Sequence, residues 1–139
     1  MPLQVTYADR PDETLTSLTR PGRVHVEYAN GDTYDGEVVQ ANTGEYVFHG
    51  RGRYVWRRAG AAYEGDYDHG RKHGVGSYRY PTGMVYRGHW VNGHKHGAGT
   101  LTYQNGDVFS GQFRDDVKHG LGSYTYYESK AQLVGEWHN

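Results

Sequence analysis

A phrase of the form Lys-His-Gly-x-Gly returns every 23 residues, as Lys72-His73-Gly74-Val75-Gly76, Lys95-His96-Gly97-Ala98-Gly99 and Lys118-His119-Gly120-Leu121-Gly122. A looser copy, Phe48-His49-Gly50-Arg51-Gly52, precedes them. A fixed period of this length marks stacked supersecondary units, each too small to bury its own apolar face. Each residue is then explained first by its slot in the unit. With the aromatic of each Tyr-x-Gly as the start, units begin at Tyr34, Tyr63, Tyr86 and Phe109, with a truncated fifth at Leu133. The histidine falls ten residues after the start in three units, whereas the first carries five extra residues within "VVQANTGEYVF". That difference reads as a loop insertion.

Inside a unit the residues alternate. Tyr63, Gly65 and Tyr67, then Tyr86, Gly88 and Trp90, then Phe109, Gly111 and Phe113 stand two apart, with polar residues between them. Spacing of two puts each set on one face of a strand. A second alternating segment follows the His-Gly-x-Gly, with Tyr54 and Trp56, Tyr78 and Tyr80, Leu101 and Tyr103, or Tyr124 and Tyr126 on one side. Asn30-Gly31, Ala59-Gly60, Thr82-Gly83 and Asn105-Gly106 supply turns between units. The glycine two residues after each starting aromatic leaves room for a ring from the neighbouring strand to lie flat. Tyrosine must carry the core, since the chain has 14 Tyr, 3 Trp and 3 Phe but only 35% hydrophobic residues.

The pattern predicts an all-β fold: one elongated, twisted antiparallel meander of consecutive hairpins, about ten strands and roughly 40 Å long at ~4.8 Å per strand. Residues 1–21 fall outside the register and read as a disordered leader or an extended arm that docks on a partner or pairs with the first strand. Residues 22–139 form the repeat domain: a half-repeat over 22–33, repeats over 34–62, 63–85, 86–108 and 109–132, and a truncated repeat over 133–139.

Tyr86-Arg87-Gly88-His89-Trp90, Gly93, His96-Gly97-Ala98-Gly99 and Leu101-Thr102-Tyr103-Gln104-Asn105-Gly106 together resemble a complete MORN motif, the membrane occupation and recognition nexus repeat. The resemblance covers about residues 22–139 and departs from the motif at Asp116, where Gly70 and Gly93 stand in earlier units, and at "YYESKAQ" (126–132). It implies a scaffold at cytoskeleton or membranes. Short, almost all-repeat chains of this kind are similar to radial-spoke-head proteins of cilia and flagella, so the implied location is cytoplasmic and cytoskeleton-associated, in an axoneme. Enzymes that bear such repeats carry catalysis in a separate domain.

Chemistry of other kinds finds little support. Nine His invite zinc, and His69/His73 or His94/His96 have suggestive spacing, but one motif histidine per hairpin should line up along the sheet rather than converge. The histidines of the repeated phrase are expected at the hairpin bend, a ring nitrogen bonded to backbone. No metal or other cofactor is expected. "HGAG" lacks the Lys-Ser/Thr and the following helix of a phosphate loop. No nucleophile elbow surrounds any serine, and cysteine is absent, so no catalytic residue is assigned. A net charge of −1 with interleaved signs argues against nucleic acid. No segment approaches the ~18 apolar residues of a membrane-spanning helix, and no signal peptide is expected.

What remains is a binding surface. An aromatic face along a single sheet, with no helix to cover it, predicts a groove for a partner's extended peptide or amphipathic helix, lined by Tyr63, Tyr67, Tyr78, Tyr80, Tyr86, Trp90, Tyr103 and Tyr126. The final strand, Leu133, Val134, Gly135, Glu136 and Trp137, offers an edge to a protein partner or a second copy. Arg51, Arg53, Arg57 and Arg58 around Trp56 form a basic patch for an anionic ligand. On that patch rests the alternative function, a peripheral membrane or phosphoinositide-binding adaptor.

Overall fold

A computed structural model describes residues 3–138. Eleven strands in these residues form one antiparallel sheet in which spatial order equals chain order. They are β1 (Gln4–Tyr7), β2 (Gly22–Glu27), β3 (Thr33–Gln40), β4 (Tyr46–Trp56), β5 (Ala61–Asp68), β6 (Arg71–Arg79), β7 (Val85–Val91), β8 (His94–Thr102), β9 (Val108–Arg114), β10 (Val117–Thr125) and β11 (Gln132–His138). The expected meander is therefore present, with no helix among the described residues. Residues 4–7 pair with β2, and the following segment folds back so that Val5 and Leu15 exchange backbone hydrogen bonds of 2.9 and 2.8 Å. The Tyr7 hydroxyl holds that segment, donating to the Arg20 carbonyl at 2.6 Å while Arg20 stacks over its ring.

The repeated phrase lies inside a strand and not at the tip of a hairpin. The tips are the two-residue turns His69-Gly70 and Asn92-Gly93, whose residues all have positive φ, as the type I′ geometry of tight hairpins requires. At the third tip Asp115 and Asp116 adopt the same conformation, at φ 47° and 74°, without a glycine. The phrase itself makes a β-bulge. Gly65 pairs with Gly76 and Tyr67 with Lys72, so two steps along β5 match four along β6. The same offset recurs between β3 and β4, β7 and β8, and β9 and β10. A bulge increases local twist and bends the strand. His73, His96 and His119 consequently project to solvent, where backbone packing had been expected; His49 alone is half-buried and accepts a 3.3 Å bond from the His69 N–H.

Packing on one face explains the tyrosine content. Tyr34, Tyr63, Tyr86 and Phe109 are completely buried, and each lies over a pair of glycines, one on its own strand and one on the next. The ring covering Gly65 is therefore Tyr63 of the same strand, and not one from a neighbour. Three of these rings donate a hydroxyl to the carbonyl three residues on, Tyr34 to Glu37, Tyr63 to Asp66 and Tyr86 to His89, at 2.7, 2.7 and 2.9 Å. Tyr67, Trp90, Phe113 and Trp137 stand edge-on between them. Tyr63 meets Tyr67 at 5.1 Å and Trp90 at 5.5 Å, and Tyr86 meets Trp90 at 5.2 Å and Phe113 at 5.1 Å. With interplanar angles of 77° to 89°, these are T-shaped pairs, each worth about 0.5–1.5 kcal/mol beyond area burial. The zigzag runs without a break from one unit to the next.

Candidate functional site

Above this buried zigzag lies a second, half-exposed row of rings. Trp56 sits 4.6 Å from Tyr54 and 5.7 Å from Tyr78, Tyr78 sits 4.7 Å from Tyr80, and Tyr103 and Tyr126 flank Tyr124 at 5.6 and 4.9 Å. These rings come from the second strand of each hairpin. The predicted groove residues thus divide into two groups. Tyr78, Tyr80, Tyr103 and Tyr126 keep part of their ring surface exposed. Tyr63, Tyr67, Tyr86 and Trp90 do not: they are at most 8% exposed, because the curved sheet folds its first-strand aromatics beneath the second row. They are the floor of the fold.

Sequence reading missed the cations in this strip. Lys72, Lys95 and Lys118 occupy one slot on β6, β8 and β10, point to the aromatic side, and are half-buried. Lys72 Nζ lies 5.3 Å from the Trp56 ring and 5.6 Å from Tyr78, with Tyr63 and Trp90 also within 6 Å. Lys95 Nζ donates to the Tyr80 hydroxyl and faces the Tyr80 and Tyr86 rings. Lys118 Nζ donates to the Tyr103 hydroxyl at 2.8 Å and lies 4.9 Å from Phe109. Ring faces are negative, which stabilises an ammonium placed over them. Burial acts the other way and lowers the pKa of Lys72 and Lys95, partly offset by the carboxylate of Asp116. The signal was in the sequence: each Lys stands an even number of residues before the glycine beneath the aromatic ring. Taking the phrase for a turn discarded its sidedness. In the first unit Phe48 fills the slot instead and stacks on Tyr34 at 3.7 Å.

Asp116 joins successive turns. Its carboxylate accepts from His94 Nδ1 at 2.6 Å and from the Lys95 N–H at 2.9 Å, and its own N–H donates to the Lys95 carbonyl at 3.0 Å. The missing glycine at this turn is thus compensated by three contacts to the neighbouring hairpin. Deeper in the turns, Asp32 accepts from the Tyr54 hydroxyl at 2.9 Å and Asp107 from the Tyr124 hydroxyl at 2.7 Å.

The arginine patch is not a single surface. Arg51 and Arg53 point to the opposite, polar face, where Asp66 and Glu64 lie 3.6 and 3.7 Å away. Arg57 and Arg58 belong to the turn after β4, while Trp56 faces the aromatic strip. Alternation across a strand separates the three groups that sequence proximity had joined. On β11, Leu133 and Val134 are 54% and 68% exposed, and Trp137 packs 5.0 Å from Phe109. β11 pairs with β10 alone among the described strands.

The MORN repeat family model matches residues 45–58, 63–85, 86–108 and 109–128. Over 60 residues the chain is 38% identical to MORN repeat-containing protein 3 of Xenopus laevis, a stretch that spans 42% of this chain and 23% of that protein. Among solved structures, the SAS-4 (dCPAP) TCP domain in complex with a proline-rich motif of Ana2 (dSTIL) of Drosophila melanogaster aligns at 14% identity and a TM-score of 0.44, covering 81% of this chain and 71% of that one.

Proposed function

The chain belongs to the MORN repeat family, a non-enzymatic interaction repeat, and we propose on that premise that it is a structural scaffold whose half-exposed aromatic strip binds a protein partner. MORN repeats mediate protein or membrane contacts. The observation that carries the protein reading is a pair of half-exposed ring clusters, Trp56-Tyr78-Tyr80 and Tyr103-Tyr124-Tyr126, with Lys72, Lys95 and Lys118 set against them. Large amphipathic rings with few rotatable bonds are the side chains that dominate binding energy at interfaces. The lysines occupy alternate strands, hence about 9–10 Å apart at ~4.8 Å per strand. An amphipathic helix rises ~10.5 Å in seven residues, so acidic residues at heptad spacing on an apolar helix match all three ammonium groups. Such a helix lies across the strands, along the array.

The setting we infer, from the likeness to short all-repeat axonemal proteins, is a ciliary or flagellar axoneme or another cytoskeletal assembly. The β11 edge at Leu133, Val134, Gly135, Glu136 and Trp137 is a second docking place, for a partner's strand or another copy. A membrane role gains less support, because Arg51 and Arg53 are balanced by Asp66 and Glu64. Co-purification from ciliated-cell extract tests the reading. Tyr80→Ala with Tyr103→Ala should release a partner that Arg51→Glu with Arg53→Glu retains. Retention by the folded tyrosine variant removes the strip as the site, and capture on acidic liposomes abolished by the arginine variant favours the membrane.

A further inference from the structure

Three donor side chains converge at the junction between the first and second units. His49 comes from β4, Asp68 ends β5, and His69 is the first residue of the turn that follows. Their ligand atoms all lie within 4.8 Å of one another. Asp68 Oδ1 is 2.7 Å from His69 Nδ1 and 3.7 Å from His49 Nδ1. Zinc bonds of ~2.0–2.1 Å in a tetrahedral shell place donors about 3.3 Å apart, between these two values. The motif histidines therefore need not converge with each other, since one of them meets the turn of the next hairpin instead.

The junction is also held in place without an ion. The Gly70 N–H donates to the Phe48 carbonyl at 2.7 Å, which pins the turn to β4, while the long 3.3 Å bond from the His69 N–H to His49 Nδ1 is the contact an ion at that nitrogen would replace. The His69 ring meets the His49 ring edge-on, with centroids 4.8 Å apart. The set is private to this junction. The ladders end at Gly50↔Tyr67, Gly74↔Trp90 and Gly97↔Phe113, and continuing each by one residue sets His49 against Asp68, but His73 against Val91 and His96 against Arg114. The residues after those partners are Asn92 and Asp115. Repeat architecture thus accounts for His49 and leaves Asp68-His69 unexplained.

We propose that His49, Asp68 and His69 form a binding site for a divalent transition-metal ion, Zn2+ in particular. Two imidazoles and one carboxylate suit zinc and disfavour Mg2+ and Ca2+, which take all-oxygen shells. Zinc imposes no d-electron geometry, so it accepts an irregular surface triad, with water completing four-coordination. A bound ion ties the hairpin that carries the five-residue insertion to the regular array.

The array supplies substitutions that the fold accepts, because Asn92 and Val91 fill the positions of His69 and Asp68 one unit later. Untagged, chelator-treated protein titrated with Zn2+ by calorimetry should take up one ion per chain and melt at a higher temperature, and Mg2+ should do neither. His69→Asn and Asp68→Val should each weaken Zn2+ uptake tenfold or more and abolish the thermal shift, while His96→Ala leaves both intact. If the wild type shows no saturable uptake up to millimolar Zn2+, the site does not exist. Uptake unchanged in both folded variants likewise overturns the assignment.

Discussion

Adding one methyl group at Gly88 should unfold the chain at a much lower temperature, while the same change at the matching glycine of the last strand should not. A Cβ at Gly88 would lie 2.5 Å from the Gly99 Cα, 2.6 Å from the Ala98 carbonyl oxygen and 2.6 Å from the Tyr86 hydroxyl. Carbon contacts are comfortable at about 3.5–4.0 Å, so each overlap is roughly 1 Å. Two of the three atoms are backbone of β8 and cannot rotate aside. The third belongs to a ring wedged edge-on between Trp90 and Phe113, at 5.2 and 5.1 Å. Relief requires β7 and β8 to part or the ring to tilt, at about 1–3 kcal/mol by analogy with overpacked cores. Tilting also strains the Tyr86 hydroxyl bond to His89, a further ~0.5–1.5 kcal/mol. Gly88→Ala should therefore cost about 2–4 kcal/mol and lower the melting temperature by roughly 6–12 °C, at about 3 °C per kcal/mol for a chain this size. Gly135 holds the same motif position but nothing lies within 4 Å of its Cβ direction. Gly135→Ala should be neutral or stabilise by ~0.4–1 kcal/mol through the unfolded state. Thermal melts followed by circular dichroism decide the matter. Equal shifts for the two variants, or a Gly88→Ala variant that melts like wild type, would refute the ring-over-glycine account.

Tyr86→Phe removes only the hydroxyl donor to His89 and should cost ~0.5–1.5 kcal/mol in denaturant melts, with Phe109 showing that the slot accepts a plain ring. At alkaline pH the tyrosines should titrate together with unfolding. Burial raises the pKa of Tyr34, Tyr63, Tyr67 and Tyr86, and a hydrogen bond to the Asp107 carboxylate, then burial, pushes Tyr124 up to about 12. A raised folded pKa means the stabilisation is complete below the unfolded value of 10.0 and is lost as pH rises toward 12 and above. Tyrosinate absorbance and circular dichroism should change in one transition, and stepwise tyrosinate formation in a folded chain would contradict it. Deleting Val75 alone should destabilise more than deleting Gly74 and Val75 together, because a one-residue change sends Lys72 to the polar face and a two-residue change restores every side. The reverse order of melting temperatures would show that bulge parity does not set the faces.

Most of the fold was legible because β-structure writes its sidedness with period two and this chain writes it four times over. The starting aromatics, the alternating polar residues and the Asn-Gly turns each give the same hairpins. What periodicity could not supply was depth. Tyr63 and Tyr78 have the same chemistry and the same face, yet Tyr63 is fully buried and Tyr78 is not. Each second strand carries a bulge between the glycine and the lysine of the phrase, and Tyr63 lies flat over Gly65 and Gly76 whereas Tyr78 packs among Trp56 and Tyr80. Composition carries no trace of that arrangement. The Arg51-to-Arg58 patch failed for a related reason: nearness in sequence was taken for nearness in space, although successive strand residues face opposite ways.

The same bulge explains why the lysines escaped notice and why they sit where they do. In a regular strand the residue opposite Tyr67 would be two places from Gly76, at Gly74, a position that offers no side chain. Two extra residues move Lys72 into that place without changing its face, so a long, flexible cation arrives over four aromatic rings, and His73-Gly74-Val75 stand opposite the single residue Asp66. The glycine at position 74, with φ +66°, permits the turn that a side chain there would oppose. Where Phe48 replaces the lysine, the strip loses its charge but keeps its contact with Tyr34. The bulge therefore divides labour within one repeated phrase. Its glycines shape the strand, its lysine faces the aromatic rings, and its histidine lies on the other side, where at the first junction it meets Asp68 and His69.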